Sequence, residues 1–295
     1  MDNLRGAALM VMAMLFFALE DMLIKFMAVS LPIGQIVGML GVGSAIILAI
    51  FLMIQRQPLF DRNMLTLPIL LRAVGELIGT VGFVTAIALT PLSSASAILQ
   101  ATPLFVTLGA ALFLQETVGW RRWTAILMGF FGVMLIIQPG MDGFDWNSLF
   151  ALQGVLGLGI RDLATRRVPK EVSSLQLSFL AFLVLIPSAI ILMLVNGTSL
   201  VTLTPVLWGY FSAAIVIGIV AYYCIVAAMR MGEISFVTPF RYSRILFALA
   251  IGVGVFKEEP NAIMLAGATI VVASGLYTLW RERHVKTTNV GANTQ

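Results

Sequence analysis

Arg241 and Arg244 stand three residues apart in an apolar run that supplies no acid of its own near them. Helical spacing puts both on one face. Their planar guanidinium forks match carboxylates and phosphates, so together they form a candidate clamp for an anionic group. Pro239 just before them removes a backbone donor and permits a kink. Three more basic residues, Lys25, Arg72 and Arg161, and four acids, Glu20, Asp21, Glu76 and Asp162, also fall inside apolar runs. A charge at mid-bilayer costs about 2.5–3.5 kcal/mol on insertion scales unless it is paired or hydrated. Nine of them predict a shared polar interior. Asp21 with Lys25, Arg72 with Glu76 and Asp162 with Arg166 are spaced to neutralise each other on single helix faces. Asp21, Lys25, Arg72, Arg161 and Asp162 are therefore candidates for gating or structural ion pairs. Lys25 could instead snorkel to the interface and Arg161 towards the headgroups. Glu20 has no cation at i+3 or i+4. With Glu76, it is the candidate to receive a cationic group. Glu76 could equally bridge to Arg241 or Arg244 and merely hold helices together. Gln100, Thr102 and Tyr242 could hydrogen-bond a ligand or act as interhelical glue. Tyr222 and Tyr223 could stack on a heterocycle or simply pack.

The elements that must position these groups follow from composition. Hydrophobic residues make up 60% of the 295 and charged residues 11%, with mean hydropathy +1.00. A chain this apolar is a polytopic membrane protein. Ten helical spans can be placed, near 4–28, 31–54, 67–89, 92–114, 122–138, 148–167, 172–195, 205–229, 234–256 and 261–280. Pro32, Pro91, Pro139-Gly140, Pro169, Asn196-Gly197 and Pro260 mark short turns between them. The first run lacks a small-residue cleavage site and is expected to be retained as a span.

Basic residues separate by side. Arg5, Arg56, Arg62, Arg121, Arg122, Arg166, Arg167, Lys170, Arg230, Arg281, Arg283 and Lys286 fall on one side of this arrangement, and Lys257 on the other. The positive-inside rule then places both termini in the cytoplasm. Ser93, Phe105 and Glu116 recur 142 positions later as Ser235, Phe247 and Glu258. That offset maps span 1 onto span 6 and span 4 onto span 9. Residues 1–141 and 142–283 become two five-span repeats, and 284–295 a disordered cytoplasmic tail. An odd number of spans per half inverts one half against the other, so one central site can face either side of the membrane. At the same offset Glu20 meets Asp162 and Gln100 meets Tyr242.

One cysteine, Cys224, and one histidine, His284, leave no basis for a disulfide, a metal site or a Cys–His nucleophile. No glycine-rich phosphate loop follows a strand, which argues against an ATP-driven pump. No cofactor is expected. The net charge of +4 lies in loops and sets topology, so nucleic acid is not expected as a partner.

The stretch PLSSASAILQATPLFVTLGAALFLQETVGWRRWTAILMGFFGVMLIIQPG resembles the end of an EamA repeat of the drug/metabolite transporter superfamily, and FKEEPNAIMLAGATIVVASGLY resembles the matching end of a second. The resemblance covers nearly the whole chain. It implies a central cavity formed by spans 1, 3, 4, 6, 8 and 9 of a bacterial inner-membrane transporter, monomeric or homodimeric. Implied substrates include exported amino acids and imported S-adenosylmethionine or riboflavin. The charged run Arg161–Arg167 exceeds what a generic sixth span carries. The expectation is a secondary transporter, not an enzyme, moving a small zwitterionic amino-acid-like metabolite by alternating access, with an acid able to carry a coupling proton. The alternatives are an importer of a heterocyclic metabolite, an organic-anion exchanger and an intramembrane enzyme.

Overall fold

The computed structural model describes residues 2–61, 64–113, 119–140, 144–165, 167–169, 171–231 and 237–292. Among them every regular element is a helix. In order these are α1 (Asp2–Ala28), α2 (Ile33–Ile54), α3 (Leu67–Leu89), α4 (Leu92–Leu99), α5 (Thr102–Phe113), α6 (Trp120–Ile137), α7 (Ser148–Thr165), α8 (Ser174–Val195), α9 (Pro205–Met231), a 3-10 turn (Thr238–Tyr242), α10 (Ser243–Gly254) and α11 (Ala262–Ala292). Five of the helices, and α4 with α5 taken together as Leu92–Leu112, are long and apolar enough to cross a membrane; Trp123–Ile137 and Ala262–Thr278 are shorter apolar helices.

Local chemistry explains the boundaries. Pro32 and Pro91 precede α2 and α4, and a proline opens α3, where a missing N–H is harmless. Ser173 and Gln176 form a reciprocal capping box at the start of α8. Two elements depart from single continuous spans. The expected span 92–114 is split between α4 and α5 because Pro103 cannot donate to the carbonyl of Leu99. The Thr102 hydroxyl bonds that carbonyl instead, at 2.7 Å. The expected span 234–256 is described from Val237 on and opens as the 3-10 turn containing Pro239. The last helix runs to Ala292, well past the expected boundary at 280 and over most of the segment expected as a tail.

The packing joins helices that are distant in sequence: α3 with α7, α1 with α9, α2 with α8, and α6 with α11. The α3–α7 seam is the tightest, for a Cβ added at Gly157 would overlap the backbone of Gly79. One large apolar core runs through α1, α2, α3, α4, α7 and α9, with Phe211, Ile36 and Ile87 fully buried.

Candidate functional site

A cavity of about 460 Å³ lies between α1, α2, α3, α4, α5, α7, α8, α9, the 3-10 turn and α10. All eight charged groups nominated from the sequence, Lys25 aside, line it. Their order is not the one helical spacing predicts.

One chain of charges crosses the wall made by α3, α7 and the 3-10 turn. Arg72 lies 3.9 Å from Glu76, and Glu76 accepts from Arg161 at 3.2 Å. Arg161 also donates to Asp162, at 2.8–2.9 Å through two nitrogens. Asp162 then lies 3.9 Å from Arg241. Arg72 donates further to the Leu177 carbonyl at 3.0 Å and to the Tyr222 hydroxyl at 3.2 Å. Three arginines thus meet two acids, leaving one positive charge in excess on this wall. Arg241 is the loosest member, with its side chain 31% exposed.

In the same cavity Arg244 donates to Asp21 on α1 at 2.7 Å. Its guanidinium lies 5.2 Å from the ring centres of both Phe17 and Phe83, a favourable cation–π position on each. The Nε atoms of Arg244 and Arg72 and the Oε2 atom of Glu76 are buried without a hydrogen bond. Glu20, one residue from Asp21, makes no hydrogen bond or close ion pair among the described residues. Its carboxylate occupies the space left by Gly218 on α9, where a Cβ would strike it. The site therefore holds two charge groups, one with three arginines to two acids and one with two acids, Glu20 and Asp21, to the single Arg244.

Several expectations change at this point. Arg244 is not a free clamp, since Asp21 holds it, and neither Arg241 nor Arg244 pairs with Glu76. Lys25 neither lines the cavity nor pairs with Asp21. The hydroxyl of Thr102 is occupied by the α4–α5 break, and the Gln100 amide donates to the Arg241 carbonyl at 3.2 Å. Tyr242 is buried with its hydroxyl against Gly275 of α11 and without a hydrogen bond. Tyr222 lines the cavity, but Tyr223 is 72% exposed on the opposite side of α9. Neighbours on a helix point about 100° apart, and here the rotation of α9 turns Tyr222 inward and Tyr223 outward. Arg166, Glu116 and Ser235 lie outside the described residues. The flanking rings Phe17, Phe83 and Phe182 were not singled out from the sequence, because aromatic residues in an apolar run carry no signal of which face they take.

Beyond one end of the cavity sits a second polar cluster. Glu258 accepts from the backbone N–H groups of Leu92 and Ser93 and from the Ser93 hydroxyl, at 2.5–3.0 Å. Lys25 lies 3.9 Å from Glu258 and donates to the carbonyls of Thr90 and Ile87. Ser93 and Glu258 were marked by the 142-residue offset, and here they meet across the molecule. The cavity lining does not include this cluster. It extends instead to Thr165 and Ser174, beside the 167–173 connection.

A multi-helix membrane protein with a charged internal cavity of this size is built as a membrane transporter. The model of the EamA-like transporter family matches twice, at residues 4–138 and 145–280. The chain belongs to this family, of the drug/metabolite transporter superfamily. It is 28% identical to a pseudopaline exporter, CntI, of Pseudomonas aeruginosa over 91% of this chain and 94% of that protein. It is 28% identical to a riboflavin transporter of Rhizobium johnstonii, covering 72% and 70% of the two chains. It is 23% identical to an S-adenosylmethionine uptake transporter of Rickettsia bellii, covering 72% of each. A protein of known crystal structure shares the fold at TM-score 0.61 and 17% identity, over 94% of this chain and 97% of that one.

Proposed function

We propose that the chain is a secondary transporter of the bacterial inner membrane that moves a small zwitterionic, amino-acid-like metabolite by alternating access. The observation that carries this reading is the grouping of charge in the cavity: a chain of three arginines and two acids lines the same space as Glu20, which has no close partner among the described residues. A ligand carboxylate fits Arg241, the least committed arginine, with Arg244 reached by displacing Asp21. The ligand's cationic group fits Glu20. An acid without a fixed partner is also where a coupling proton would travel.

Ten crossings in two inverted halves account for the packing. Exchanging each span for its counterpart five spans away turns the α3–α7 pair into the α9–α1 pair and returns the α2–α8 and α6–α11 pairs to themselves. The two interruptions support the same plan. The α4–α5 break spans Gln100–Ala101, and the 3-10 turn gives way to α10 at Tyr242–Ser243, the same places under the 142-residue offset. Interrupted helices at equivalent places are how inverted-repeat transporters form a central site. The Glu258 cluster would close the outward end in this state, with both termini cytoplasmic.

The aromatic lining favours a second reading, import of a heterocyclic metabolite. Phe17, Phe83, Phe182 and Tyr222 surround the charges, and the riboflavin and S-adenosylmethionine transporters among the relatives agree with it. Thermal stabilisation of the purified protein by a panel of zwitterions, flavins, nucleosides and phosphates, followed by liposome flux of the hits, separates the two. A ligand that binds only the folded state must raise its stability. Stabilisation by zwitterions that Glu20→Gln removes supports the first reading. Stabilisation by neutral heterocycles that is indifferent to Glu20 overturns it in favour of the second.

A further inference from the structure

Helices α6 and α11 touch closely where Gly132 meets Gly267, and an open gap lies between them from Trp120 to Tyr277. The gap is a groove of about 410 Å³ on the outside of the bundle, separate from the central cavity. Its floor is apolar, with Ala125 and Met128 from α6 and Ile270 and Ala273 from α11. Its mouth is aromatic and basic. Trp120 is 71% exposed, the Arg121 guanidinium lies 5.4 Å from its ring centre, and Tyr277 pairs with Trp280 at 5.9 Å. The sequence adds Arg122 beside Arg121, and Arg281 and Arg283 just after Trp280, with Glu282 the one acid among them.

Trp120 to Met128 spans roughly 12 Å at helical rise, close to the ~15 Å hydrocarbon depth of one leaflet. An apolar slot of that depth, capped by interfacial aromatics and the Arg121 guanidinium, matches a molecule with an acyl chain below and a negative headgroup above. A second copy of this chain would bring a like-charged mouth against this one. We propose that the α6–α11 groove is a binding site for an anionic phospholipid, its phosphate held by Arg121 and one chain lying along Ala125, Met128 and Ala273. This site is independent of the transported substrate.

Native mass spectrometry of the detergent-purified protein, mixed with equal amounts of phosphatidylglycerol and phosphatidylcholine, tests it. The expected result is preferential retention of phosphatidylglycerol, reduced several-fold by Arg121→Gln with phosphatidylcholine retention unchanged. Ala273→Phe, which fills the slot from the side, should lower retention of both lipids. Arg121 is exposed, so its variant keeps the fold and the comparison is not clouded by misfolding. Equal retention of the two lipids, or a preference that survives Arg121→Gln, overturns the proposal. So does efficient cross-linking of two copies through Thr124→Cys, which would make the groove a protein interface.

Discussion

Two charged clusters among the described residues are built on opposite terms. At the Glu258 end the carboxylate accepts from backbone and hydroxyl donors, while Lys25 donates to two carbonyls and sits 5.4 Å from the Phe256 ring. The charges there are consumed by the fold. In the cavity charges mostly meet other charges, four arginines against four acids. One acid, Glu20, has no close partner, and Arg244, Arg72 and Glu76 keep buried atoms without hydrogen bonds. A cluster that only holds helices together tends to satisfy every group, because an unpaired buried polar group costs about 1–3 kcal/mol. The retained dissatisfaction of these cavity groups is what the proposed binding role rests on.

The sharpest way to break that contrast is to remove a paired cavity charge. Arg244→Ala leaves Asp21 buried and unpaired, an expected loss of about 3–5 kcal/mol in stability together with loss of transport. Asp21→Leu in the same chain should recover much of the stability but not the flux. Recovery of flux in the double variant would reduce the pair to a strut. Thermal melts and proteoliposome uptake read the two quantities separately.

Glu258→Ala strips the start of α4 of its acceptor, and each charge-assisted hydrogen bond lost is worth about 1.5–3 kcal/mol. A cysteine placed at Ser94, in a background without Cys224, should then label at least tenfold faster. Unchanged labelling would mean that the cluster does not close this end.

Glu20→Gln is the mirror case. No described partner is lost, so stability should stay within about 0.5 kcal/mol of the native protein. Transport of a zwitterion should fall at least tenfold, and a large drop in melting temperature would reassign Glu20 to the framework. The smallest expected difference lies between adjacent residues. Tyr222→Phe loses its bond from Arg72, about 1 kcal/mol, whereas Tyr223→Phe should be silent in both stability and flux.

How much of this the sequence reveals depends on whether a feature is local. Apolar runs and prolines mark the helices closely, and Pro103 and Pro239 signal the two interruptions. The charged residues are legible as the makings of a site because each is anomalous in its own run. Their partners are not. Helical spacing offers Lys25 to Asp21, yet Asp21 pairs with Arg244, 223 positions away. Of the two same-helix pairs that fall among the described residues, Arg72 and Glu76 keep the expected pairing, and at 3.9 Å they do so loosely. Ion-pair choice between helices is set by the rotation of each helix about its axis, which depends on contacts such as Gly79 with Gly157. A single chain read in order carries no measure of that rotation. The 142-residue offset is the exception, because symmetry makes a distant contact visible as a repetition.

The glycine seam between α3 and α7 bears on which parts can move. Backbones in direct contact cannot slide or roll past each other without collision, so these two helices must travel together. One belongs to the first half of the sequence and the other to the second, and the same is true of α1 and α9. If the cavity exchanges its exposure as proposed, the bodies that move are mixed pairs, each drawn from both halves of the sequence. The family model matches each half of the sequence once, yet the close joints between helices cross from one half to the other.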